Sequence, residues 1–150
     1  MNAEDDDMTI SIPSGNYSVP FRWLNGMPTM KAVFVRPDNL FADGDCEDGD
    51  DVEAMIGIDT GTQYNVMSYD LMCTLFDAGA LDDDHIVVHS DKELIVLVER
   101  IELHGMVIDN IQFRVFNIME SWIGWSFLNA LKTYSIDYKN LKMVFSCRKT

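Results

Sequence analysis

The chain has 150 residues, 47% of them hydrophobic and 11% aromatic, which suits one compact domain and is too apolar for a disordered polymer. Its 25 Asp and Glu against 11 Lys and Arg give a formal net charge of -14, which excludes nucleic acid and an anionic bilayer as natural partners, since both are held by Lys and Arg. No apolar run approaches the ~20 residues that span a bilayer, and the first seven residues carry four acids where a secretory signal is basic and then apolar, so a soluble, cytoplasmic protein is expected.

Residues 1–28 contain Pro13, Gly15, Pro20, Gly26 and Pro28 and are expected to be a partly flexible N-terminal extension with one or two short strands. A domain over residues 29–150 follows. Residues 29–35 read as a strand that Pro37 ends. Residues 43–53 hold seven acids, with Gly44 and Gly49 between them. A calcium loop fails there in both registers, because Asp48 or Asp50 stands where glycine is required and, from Asp43, Ala54 stands where the closing Glu belongs. A solvated acidic loop is the better reading. Residues 52–58 form an apolar strand. Tyr69, Leu71, Met72, Leu75 and Phe76 then keep helical spacing, with Gly79 suited to the C-terminal end.

Residues 86–89 and 94–103 read as strands joined by a polar turn. Residues 106–108 and 111–116 read as two more, with Asp109 and Asn110 as a two-residue turn that lacks the usual Gly. Residues 126–131 suit a short helix, and residues 134–137 and 142–145 a closing hairpin around Lys139 and Asn140. The whole is a mainly β fold. Cys46, Cys73 and Cys147 are far apart and odd in number, so neither a disulfide framework nor a zinc site is expected. His85 and His89 lie four apart but on strand and loop, and no metal or functional role is assigned to any histidine.

The chemically informative segment runs from Ala54 to Thr62, where an apolar strand enters Asp59, Thr60 and Gly61. A carboxylate directly after buried strand residues is costly unless paired, hydrogen-bonded or shared. Gly61 permits close backbone approach, and Thr60 sets a hydroxyl beside the acid. Alone, the triplet also suits an ordinary turn aspartate. A second segment, Trp122-Ile123-Gly124-Trp125-Ser126-Phe127-Leu128, starts 63 positions after Asp59 and sets an apolar residue and a glycine before a short helix.

Together the two segments, in this order and spacing, resemble the retropepsin-like aspartic proteases over about residues 29–146. The resemblance implies a closed β-barrel of the acid-protease type with one or two short helices, one lobe per chain. It implies that Asp59 is the catalytic acid and that a homodimer supplies the second carboxylate across a two-fold axis. The pair would share one proton, the ionised member activating water and the protonated one polarising the scissile carbonyl of a polypeptide substrate. Thr60 would brace the partner loop, Gly61 would leave room for that crossing, and Ile123 and Gly124 would support the site from behind. Residues 86–97 would form the flap, with Ser90, Asp91, Lys92 and Glu93 at its substrate-facing tip. No cofactor is implied. The sequence departs from the family at this glycine-free tip and at Thr62 and Gln63, where Ala is common. The alternative reading is a weakly active or inactive protease-like dimer that serves as a peptide-binding or assembly module. Of Trp122 and Trp125, one is expected in the core and one near a surface or dimer contact.

Overall fold

The computed structural model describes residues 9–40 and 51–147. Most of the acidic stretch at 43–53, Cys46 and the first eight residues lie outside the described residues. In chain order the strands are β1 (Gly15–Pro20), β2 (Arg22–Leu24), β3 (Met27–Phe34), β4 (Val52–Ile58), β5 (Val66–Ser68), β6 (Ile86–His89), β7 (Leu94–Leu103), β8 (Met106–Phe116), β9 (Trp122–Ile123), β10 (Thr133–Asp137) and β11 (Lys142–Cys147). A one-turn helix α1 (Pro37–Leu40) follows β3, α2 (Tyr69–Asp77) follows β5, and one-turn α3 (Trp125–Leu128) follows β9.

Strand pairing closes a barrel. β3 pairs with β4, β4 with β9, β9 with β5, β5 with β8, β8 with β7, and β7 returns to β3 at Val33↔Glu102 and Phe34↔Ile101. Phe34, Ile56, Met67, Ile101, Leu103, Ile108 and Phe113 are buried within it. A separate three-stranded sheet, in the order β1, β11, β10, takes its first strand from the segment before residue 29. Phe145 of β11 packs edge-on against Phe127 of α3, with ring centroids 5.9 Å apart, which fixes this sheet to the helix behind the candidate site.

Local chemistry explains the ends of these elements. Ser68 caps α2 by accepting from the Leu71 amide at 3.1 Å, and Gly79, at φ 79°, takes the left-handed conformation that ends it. The expected turn at Asp109 and Asn110 is not there: β8 runs unbroken from Met106 to Phe116, and the turn falls at His104 and Gly105, with φ of 48° and 90°. The misreading has a physical cause. Inward-facing residues of β8 change phase between Ile108 and Ile111, and Asn110 takes φ 60°, while β7 changes phase beside it between Val98 and Ile101. Both strands shift together, so the ladder survives a break in hydrophobic alternation. Arg100 clamps Asp109 across the shift through two hydrogen bonds of 2.6 and 3.2 Å. Ser11 and Asp109 exchange backbone hydrogen bonds on the other side.

His85 lies in the loop just ahead of β6. It is buried in a 3-10 turn, with Nδ1 accepting the Asp82 amide at 3.0 Å and Nε2 2.6 Å from Glu99 Oε2, a structural tie between that turn and β7. No metal-binding group of His, Cys, Asp and Glu occurs among the described residues, and no helix there is long and apolar enough to cross a membrane.

Candidate active site

The loop that carries Asp59 leaves the barrel at the end of β4 and returns as β5. Between these two strands lies β9, parallel to β4 at Gly57↔Trp122 and Ile58↔Ile123 and meeting β5 at Val66↔Trp122. Asp59 adds one more rung, its amide donating to the Ile123 carbonyl at 3.0 Å. The half-buried Asp59 is thus fixed by ladder pairing up to its own backbone.

The turn is closed locally. The Gly61 amide donates to Asp59 Oδ1 at 2.8 Å, and Thr62 Oγ1 donates to the Asp59 carbonyl at 3.2 Å. An ideal Cβ on Gly61 would lie 3.2 Å from the same Oδ1, so a side chain there would press on the carboxylate that the Gly61 amide holds. Oδ2 has no donor among the described residues, and Thr60 is exposed.

Support comes from behind. The Trp125 and Ser126 amides, at the start of α3, donate to the carbonyls of Thr62 and Gln63 at 2.9 and 2.8 Å, and Ser126 Oγ donates to the Gln63 carbonyl at 2.9 Å. The helix start therefore satisfies its free amides on the arm that follows the triplet. Gly124 makes this approach possible, since a Cβ would sit 2.6 Å from the Tyr64 carbonyl and 2.7 Å from that of Thr62. Trp125, 38% exposed, donates its indole N–H to the Thr60 carbonyl at 2.7 Å and meets Tyr134 of β10 edge-on. Trp122 is half-buried beneath the loop.

Two supporting residues escaped the sequence reading. Asn65, 3% exposed, accepts the Gly124 amide at 3.0 Å and donates to the Gln112 carbonyl at 3.0 Å, joining loop, β8 and helix start in one buried network. Arg114 of β8 lays its guanidinium over the Tyr64 ring, 3.7 Å from the centroid, and reaches Glu93 at 3.6 Å. A lone Asn or Arg carries no spacing signal, and only the pairing of β5 with β8 makes these two meaningful.

Ile123 and Gly124 are thus gathered beneath Asp59, Thr60 and Gly61, while Ser90, Asp91, Lys92 and Glu93 are exposed at the tip of the β6–β7 hairpin. The Ser90 amide donates to the Glu93 carbonyl at 2.8 Å, and Ser90 Oγ accepts the amides of Lys92 and Glu93 at 3.3 and 3.1 Å. The hydroxyl closes the turn in the absence of glycine. β7 pairs with β8 as far as Ile95↔Arg114, so the hairpin lies within the sheet nearly to its tip. Its link to the Asp59 loop runs through Glu93, Arg114 and Tyr64.

No family model and no curated protein matches the chain. Among solved structures it is similar to a retropepsin-like aspartic protease from Rickettsia conorii, with a TM-score of 0.54 and 17% identity over 93% of this chain and 97% of that one. That likeness, with the six-stranded closure and the strand threaded between the arms of the Asp59 loop, establishes a retropepsin-like β fold.

Proposed function

We propose that the protein is an aspartic endopeptidase that works as a homodimer, each chain contributing one Asp59. The observation that carries this reading is the anchoring of Asp59: a carboxylate on a turn tied to Ile123, Gly61 and Thr62, with Oδ2 unengaged. An aspartate kept only to shape a turn does not need a threaded strand and a helix start beneath it. One carboxylate is half of the chemistry. Two brought together across a two-fold axis share a proton, so one can take a proton from water while the other donates to the substrate carbonyl.

The dimer reading draws on one face of the molecule. Thr60 is exposed, Trp125 ties its carbonyl to the position of Tyr134, and β10 presents an edge with no strand beside it among the described residues. Pairing of two copies at this face brings the two Asp59 loops toward each other. A charge of -14 on each chain opposes that association, so the dimer tightens as salt is added.

A second reading, a peptide-binding dimer without turnover, is favoured by the tip of the β6–β7 hairpin, which is closed on itself by Ser90 and tethered to Arg114. One experiment separates the two: cleavage of a diverse peptide library between about pH 4 and 7 by wild type and Asp59→Asn, with oligomeric state measured in the same buffers. Cleavage by the wild-type dimer alone supports the protease. The rate is expected to fall toward neutral pH as the pair loses its shared proton, and a rate that keeps rising overturns the paired-carboxylate mechanism. Peptide binding without cleavage by a folded dimer selects the second reading.

A further inference from the structure

We propose that the cavity beside the Asp59 loop is a subsite for an acidic side chain of the bound peptide, with Arg114 as its counter-ion. The inference rests on the reading of this face as a peptide site and names what that site selects. The cavity measures about 300 Å³ and is walled by Ile10, Tyr64, Asn65, Gln112, Arg114 and Ser126, among others. That volume is at the low end of pockets that hold small ligands, so it suits one side chain of a longer chain. Among the described residues neither Asp nor Glu lines this cavity, and Arg114 is its only charged wall.

The two arginines of the β7–β8 hairpin show that Arg114 is available. Arg100 is committed, gripping Asp109 through two short bonds of 2.6 and 3.2 Å. Arg114 touches Glu93, its one acidic partner among the described residues, at 3.6 Å, beyond hydrogen-bond distance, and that glutamate is 43% exposed. Its guanidinium plane is held by the Tyr64 ring, five residues after Asp59, leaving N–H groups to receive a carboxylate. A peptide glutamate would lay its methylenes against Ile10 and Ile95 and replace Glu93 on Arg114. That exchange releases the hairpin tip as substrate enters, so Glu93 acts as the resident competitor.

The test uses the full-length Asp59→Asn protein and pools of short random fluorescent peptides with Glu, Gln or Lys fixed at each position in turn. At one position the Glu pool is expected to bind about tenfold more tightly than the Gln pool at low salt, the scale of one charged hydrogen bond. Arg114→Gln removes the difference, and Arg114→Glu turns the preference toward Lys. Arg114→Lys keeps the charge without the stacked fork and retains part of the preference, which separates a lost counter-ion from a damaged fold. Glu93→Gln tightens the Glu pool severalfold. Equal binding of Glu and Gln pools by the parent, or an undiminished Glu preference in Arg114→Gln, overturns the subsite and leaves the peptide site standing. Failure of every pool to bind, with no cleavage by wild type, overturns the peptide site and the subsite with it.

Discussion

The Asp59 loop and the tip of the β6–β7 hairpin are both turns that close on side-chain hydrogen bonds, yet they are held in opposite ways. The loop is backed by the buried hydrogen bond of Asn65 to the Gly124 amide, and the first amides of α3 add bonds to the carbonyls of Thr62 and Gln63 at its more exposed edge. The tip is held by the Ser90 hydroxyl and by a loose ion pair, both open to water. A buried polar group that loses its partner carries its full desolvation penalty, whereas an exposed one exchanges its partner for water. The difference divides the labour: one turn keeps a carboxylate in place, and the other can open at small cost.

The largest expected effect comes from breaking the rigid side. Gly124→Ala sets a methyl group 2.6 and 2.7 Å from two backbone carbonyls, so loop and helix must separate. A loss of about 1–3 kcal/mol in a denaturant melt is expected, with loss of peptide cleavage or binding. A wild-type melt would mean that the contact relaxes freely and that the loop is not rigid. Asn65→Leu follows, with about 1–3 kcal/mol lost because the Gly124 amide and the Gln112 carbonyl are both orphaned. Asn65→Asp sharpens the point. It keeps the acceptor for Gly124 but turns a carboxylate toward a carbonyl, so it should recover only part of the loss.

Asp59, Thr60 and Gly61 stood out in the sequence as an acid, a hydroxyl and a glycine at a strand end, whereas Ile123 and Gly124 stood out through the resemblance, since the carbonyls that crowd a Cβ at Gly124 belong to the distant Thr62 and Tyr64. The strands were legible because alternation is a local signal. Where alternation changed phase at Asn110, a turn was expected and a continuous strand stands instead. β5 was missed as well. It is three residues long, and its burial on every residue leaves no alternation to read. Asn65, Arg114 and the structural role of His85 depend on partners 47, 50 and 14 positions away, respectively Gln112, Tyr64 and Glu99, and no local pattern encodes such pairings.

Between the two extremes lies Trp125, whose indole reaches the Thr60 carbonyl from a partly exposed position. Trp125→Phe keeps the ring and removes the donor, and it is expected to lower stability by about 0.5–1.5 kcal/mol while weakening the proposed dimer more than the monomer fold. Sedimentation at several concentrations checks this, and unchanged association would move the two-fold away from this face. On the loose side, Ser90→Ala removes the acceptor for two exposed amides and should cost about 0.5 kcal/mol or less, while hydrogen exchange at Lys92 and Glu93 accelerates.

The smallest effect separates two exposed turns by their chemistry. At the β10–β11 turn, Asp137 does the work that Ser90 does at the hairpin tip: Oδ1 accepts the amides of Lys139 and Asn140 at 3.1 Å each, and Oδ2 accepts the Asn140 side-chain amide at 2.9 Å. These bonds, the Asn140 side chain foremost, favour the ionised form and hold the Asp137 carboxyl below the ordinary carboxylate range. Its contribution is therefore complete above the unfolded value of about 3.9 and is lost as pH falls through the lower folded value. A hydroxyl does not titrate there. Amide protection at Lys139 and Asn140 should fall on acidification over that window, while protection at Lys92 and Glu93, corrected for intrinsic exchange, stays level. Equal loss at both turns would point to general acid unfolding and would remove Asp137 as the cause.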